Sequence, residues 1–244
     1  MVSNIGLNFI INRGGKFAKG LLCSKPVPKS INFEGVKYIP LEEDILNISS
    51  IKFSRYKSQI ISYLKMDKPR EYMVIADRTT GKNICSHLGD AIECGGNIDY
   101  SKLPLNPKTS VMLHGHPTYY INGVSTTPIS EPDFRTFLRL PINEVVAYNE
   151  IGQYSLMRKT NKFRRLKEEE VTSIIEELHK RLETLIPKNK LEEVNSGIAF
   201  NFFKKLGLIE EQMTTQDGIK LMDKFWQEIC PKIGIDYQCT YTGL

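Results

Sequence analysis

From Ile51 the apolar positions Ile51, Phe53, Tyr56, Ile60, Ile61 and Leu64 recur every three or four residues. This spacing predicts an amphipathic helix over 51–66, ended by Lys68-Pro69. The period then shortens. Residues 71–76 read as a strand, 77–81 as a turn and 82–86 as its partner, which is a hairpin signal. Cys94-Gly95-Gly96 breaks the chain, and 103–108 is a proline-bounded loop. The run 110–113 is apolar and short, as a buried strand requires. After a polar, turn-rich loop over 118–129, Ser130-Glu131-Pro132-Asp133 opens a helix through about Leu140, with Phe134, Phe137, Leu138 and Leu140 on its buried face. Two further strands, 144–148 and 153–158, flank a turn at 149–152.

Past Lys167 only helical spacing is expected. Val171, Ile174, Ile175, Leu178, Leu182 and Leu185 form one stripe stopped by Pro187. A second helix is expected over 191–206, closed by Gly207, and a third over 216–230, before Pro231. The order of elements between 52 and 160 predicts an α/β domain with one mixed sheet flanked by helices. The organisation expected is an N-terminal arm or extension over 1–50 with no assignable role, an α/β domain over 51–160, and a helical C-terminal domain over 161–244.

Composition narrows the class. The proportions, 41% hydrophobic and 25% charged, are those of a folded globular chain. Net charge is +5, and the densest basic group, Arg158, Lys159, Lys162, Arg164, Arg165 and Lys167, is followed at once by Glu168, Glu169 and Glu170. That stretch reads as a solvated linker and helix start, so nucleic acid is not the expected partner. The five cysteines are odd in number and lack CxxC spacing. They fit a reducing cytoplasm rather than a disulfide framework or a zinc ribbon. No apolar run is long enough to span a bilayer, so no membrane association is expected.

Candidate chemistry begins at His114-Gly115-His116-Pro117. Residues i and i+2 of a strand project to the same side, so two imidazoles leaving its end can share a metal ion. A capped, hydrogen-bonded histidine loop is the plain alternative. Ser130-x-x-Asp133 likewise reads as a capping box at a helix start. The two readings of Asp133 are compatible, because a helix start pins a carboxylate with little positional error. Two histidines and one carboxylate would leave a tetrahedral zinc an open position, the catalytic arrangement. His87 and His179 read as surface or interface histidines, and Phe225 and Trp226 as core.

The array Glu71 … His114-Gly115-His116-Pro117 … Ser130-Glu131-Pro132-Asp133 resembles the JAMM motif of the MPN-domain metalloproteases, a Glu followed by HxHP and then SxxD. The resemblance covers about 52–160. It implies an MPN-like mixed sheet, with His114, His116 and Asp133 binding one zinc ion per chain. It further implies Glu71 as the base that activates the zinc-bound water, with Glu93 in reserve, and Ser130 steadying the tetrahedral intermediate. The activity implied is hydrolysis of a peptide or isopeptide bond in a protein or peptide substrate, ubiquitin-like modifiers among them. The loop between His116 and Ser130 is a few residues longer than the family's usual spacing, and its Tyr119, Tyr120, Asn122 and Gly123 could form a substrate lip or lid. The rival readings are a non-catalytic MPN-like scaffold and, by analogy with RadC-type domains, a DNA-associated role. The C-terminal helices are left as a surface for a protein partner.

Overall fold

The computed structural model describes residues 51–89, 98–117, 128–194, 198–213 and 215–240. The expected arm over 1–50, the break at Cys94-Gly95-Gly96, Glu93 and the lip residues Tyr119, Tyr120, Asn122 and Gly123 lie outside these residues.

Helix α1 spans Ile51–Leu64 and buries Phe53, Tyr56, Ile60 and Leu64 along one stripe. Strands β1 (Tyr72–Asp77) and β2 (Asn83–Leu88) form the expected hairpin. Its turn is tied by Thr80 N–H to Asp77 Oδ1 at 2.8 Å. Strand β3 (Ser110–Gly115) is buried throughout and pairs antiparallel with β1. Helix α2 (Glu131–Arg139) lies between β3 and β4 (Glu144–Tyr148), which run parallel. β5 (Tyr154–Lys159) returns antiparallel to β4. Helices α3 (Glu168–Glu183), α4 (Lys188–Val194), α5 (Ile198–Met213) and α6 (Gln216–Ile229) follow. β6 (Ile235–Cys239) then pairs antiparallel with β5.

The result is a mixed α/β architecture with one six-stranded sheet in the order β2-β1-β3-β4-β5-β6. Strand alternation divides its residues between two cores. Val74, Ala76, Val111, Leu113, Val146, Tyr148 and Leu156 face α1. Met73, Ile75, Met112, Val145, Ala147 and Met157 face the opposite layer, where α2, α3 and α6 contribute Phe134, Phe137, Ile175, Leu178, Phe225 and Trp226. Each of the larger of these apolar side chains contributes roughly 1.5–3 kcal/mol by leaving water.

Three expectations are corrected. Helices do not occupy everything past Lys167: β6 extends the sheet, and Ile235 and Trp226 share a core with Met73 and Met112. The strand is short, with only Ile235 buried, so its pattern carries little apolar signal. Gly234, at φ 75°, turns the chain into it from the 3-10 turn Cys230–Ile233, and a Cβ there would lie 2.4 Å from the Lys162 carbonyl carbon. Second, the helix expected over 191–206 is two: α4 ends at Val194, and α5 continues through Gly207 to Met213. An interior glycine costs about 1 kcal/mol relative to alanine, and the packing of α5 on α3 and α6 offsets it. Third, Arg158 and Lys159 are not solvated but fully buried at the end of β5, whereas Lys162, Arg164, Arg165 and Lys167 are exposed. Among the described residues no helix is long and apolar enough to cross a membrane.

Candidate metal centre

His114 lies in β3 with Met73 opposite it on β1 and Ala147 on β4. It therefore faces the α2 layer and is 2% exposed. The ladder continues one step past β3, because His116 N–H donates to Tyr148 O at 2.8 Å. This keeps the second imidazole on the same side as the first. Gly115 between them faces the other way, where a Cβ would meet Ile60 Cγ2 at 2.9 Å and both Leu64 δ-carbons at 3.0 Å. Glycine at this position lets α1 lie directly behind the histidine pair.

Asp133 arrives from the first turn of α2. Ser130 is the N-cap, and both halves of the capping box form. Asp133 Oδ2 accepts from Ser130 N–H at 2.9 Å and from Ser130 Oγ–H at 2.6 Å, and Asp133 N–H donates back to Ser130 Oγ at 3.3 Å. The helix-cap reading is thus correct, and the carboxylate still reaches both rings. Asp133 Oδ1 is 3.1 Å from His114 Nε2, Oδ2 is 3.0 Å from His116 Nε2, and the two Nε2 atoms are 2.9 Å apart. These three residues form a group able to hold a metal ion. Burial alone would raise the Asp133 carboxyl, but the His114 and His116 rings outweigh it and hold the group well below the usual carboxylate range.

Hydrogen bonding cannot satisfy this arrangement in full. Each Nε2 carries either one proton or one lone pair. If both donate to Asp133, two N–H groups face each other across 2.9 Å; if one donates to the other, the acceptor ring turns a lone pair toward a carboxylate. At most two of the three contacts are favourable in any tautomer, whereas a cation among the donor atoms satisfies all three. Neighbouring ligands of a tetrahedral zinc with bonds of about 2.0–2.1 Å lie about 3.3 Å apart. The set therefore needs to open by only a few tenths of an ångström. The donor atoms fit zinc.

Comparison with protein-family models, curated proteins and solved structures found no match to this chain.

The remaining expected residues divide. Ser130 touches Asp133 directly, and its hydroxyl proton is committed to that carboxylate. Glu71 precedes β1, and its carbonyl accepts from Gly89 N–H at 2.8 Å. Carrying the β1–β3 register two residues beyond Met73–His114 sets Glu71 across from His116, on the face shared by Met73 and His114.

Residues to which sequence reasoning assigned no role at the site surround the Asp133 turn. Glu131, buried at the start of α2, pairs with Arg135 Nε at 2.9 Å and with His179 Nε2 of α3 at 3.0 Å. Burial pushes its carboxyl up, but His179 and Arg135 outweigh that and hold it low. His179 is thus an interface histidine, as expected. Trp226 of α6 donates its indole N–H to Ile129 O at 3.0 Å. A Glu with Arg four residues on is a readable pairing signal. Nothing local to Trp226 points to Ile129.

Proposed function

We propose that this chain is a zinc-dependent hydrolase of the JAMM/MPN kind that cleaves a peptide or isopeptide bond. The observation that carries the reading is the three-way contact among His114 Nε2, His116 Nε2 and the Asp133 carboxylate, which protons satisfy on at most two edges. His114, His116 and Asp133 would hold the metal, the two-imidazole, one-carboxylate set of a catalytic rather than a structural zinc. Zinc there would supply Lewis acidity and bring the pKa of a water to about 7.

The chain's own residues supply the proton handling. Glu71, which the β1–β3 register extended past Met73–His114 sets across from His116, would take a proton from the attacking water and return it to the leaving amine. Ser130 orients Asp133 through its hydroxyl; donating to an oxyanion, as the resemblance implies, would require the O–H to swing away from Asp133. An MPN-like topology belongs to the same proposal. It is supported by the histidine pair at the end of a buried strand and the SxxD turn that begins the helix between two parallel strands. The proposed substrate is a protein or peptide, a ubiquitin-like modifier among the candidates.

Elemental analysis of purified protein tests the reading. About one zinc per chain is expected, lost in His116→Ala and Asp133→Ala, with Glu71→Gln retaining zinc but not cleavage. A wild-type chain that binds no zinc yet engages a partner protein would overturn the proposal in favour of a scaffold. Salt-sensitive DNA binding that survives Asp133→Ala would overturn it in favour of a RadC-like role.

A further inference from the structure

The metal reading makes Asp133 the one ligand that does not come from the sheet, so its position depends on whatever holds the N-terminus of α2. The capping box fixes the turn internally, Ser130 to Asp133. It does not fix the turn relative to β3. Trp226 ties it from α6, beside the Glu131–His179 pair from α3: its indole N–H bonds Ile129 O, one residue before the cap, and its ring packs on Phe134, one residue after Asp133, with centroids 4.7 Å apart. Ile129, Phe134 and Trp226 are all fully buried. One side chain, 97 residues distant from Ile129 in the chain, therefore brackets the whole SxxD turn.

We propose that Trp226 is a positioning residue for the metal centre, holding Asp133 in reach of His114 and His116 through its bond to the Ile129 carbonyl. The inference rests on the metal reading and extends it to a helix outside the region of the motif. The carbonyl of Ile129 has its N–H donor in a buried setting, and a change that removes the donor leaves the acceptor without a match. Conservation of the ring without the N–H isolates that bond, so Trp226→Phe is the informative variant. Phe225→Leu is its control: Phe225 is equally buried on the same helix and touches the Trp226 ring, but it leaves the indole N–H intact.

The experiment is zinc titration of the full chain against a competing chelator, with unfolding in urea measured on the same samples. Trp226→Phe is expected to weaken zinc binding about tenfold, the scale of a change behind a metal ligand, while Phe225→Leu leaves zinc affinity unchanged at comparable loss of stability. Equal weakening in both variants would overturn the proposal, because it would trace to general destabilisation. A second measurement needs no variant. The chain has one tryptophan, so its indole N–H gives a single resonance. Coupling is reciprocal, so zinc must strengthen the Trp226–Ile129 bond by the factor that the bond strengthens zinc. Saturating zinc is expected to slow solvent exchange of the indole proton about tenfold. An exchange rate that is unchanged, or slowed only by the factor found for core amides that exchange through global unfolding, would overturn the proposal, and this comparison decides the matter if Trp226→Phe does not fold. A wild-type chain that takes up no zinc at all refutes the metal reading instead, and is told apart by the missing titration.

Discussion

The two ends of the central strands both bury charge, and they do so with different chemistry. Where β4 begins, Glu144 lies between Arg78 and Arg158, one guanidinium for each carboxylate oxygen, with all three side chains at most 6% exposed. Where β3 stops, Asp133 meets two imidazoles that also meet each other. A guanidinium keeps its proton and offers no lone pair, so the first cluster cannot coordinate a metal. An imidazole can give up its proton and coordinate, so the second can. Burial and pairing are common to both ends. What separates a site from a structural ion pair is the donor chemistry, together with a contact that protons leave unsatisfied.

Removing one carboxylate at each end breaks the comparison most sharply. Asp133→Ala should abolish cleavage and weaken zinc by more than the roughly 10–100-fold of a change behind the ligands, while costing the helix start only about 0.3–1 kcal/mol. Glu144→Ala should do the reverse, losing about 3–5 kcal/mol in urea unfolding as a buried carboxylate between two guanidinium groups is removed, with zinc content kept. If Glu144→Ala sheds zinc, or Asp133→Ala fails to fold, the two ends are not independent. Glu71→Gln sharpens the contrast within the metal end: cleavage should fall by about 10²–10⁴ at unchanged zinc stoichiometry, measured at saturating substrate.

Gly115→Ala is expected to cost about 1–3 kcal/mol, because its Cβ would press on Ile60 and Leu64 behind the histidines. Thermal unfolding reads this, and an unshifted midpoint would mean that α1 yields freely. The smallest effect concerns Glu131, a carboxylate beside the site but paired like Glu144. Its folded pKa lies below the ordinary 4.5. Its contribution to stability is therefore full above that value and is lost as pH falls through the folded one. Glu131→Gln should flatten the stability profile of the metal-free protein below about pH 4.5. An identical acid limb in both proteins would show that the pair with His179 adds nothing.

Much of this was legible in the chain. Alternation and helical spacing located α1, the β1–β2 hairpin, β3, α2, β4 and β5 to within a few residues, since each buries one regular face. The HxHP and SxxD segments were readable because each encodes its own local geometry, a strand end and a capping box. What escaped reading depends on contacts between distant segments. Lys159 looks like a solvated charge, yet it is buried with Nζ bonded to Leu140 O at 2.9 Å and set over the Phe137 ring. Burial pushes that ammonium well below the usual lysine range. Strand β6 has too little apolar alternation to announce itself, and Trp226 looks like any buried aromatic until its partner at Ile129 is seen.

Strand β6 also shields its neighbour. β5 is buried from Ser155 to Lys159, and without Ile235–Cys239 its outer row of amide and carbonyl groups would face solvent. An unpaired strand edge is a template for another chain. Versions of this protein lacking 235–239 should therefore self-associate through β5, and cross-linking of such species would run through that strand rather than through the helical layer.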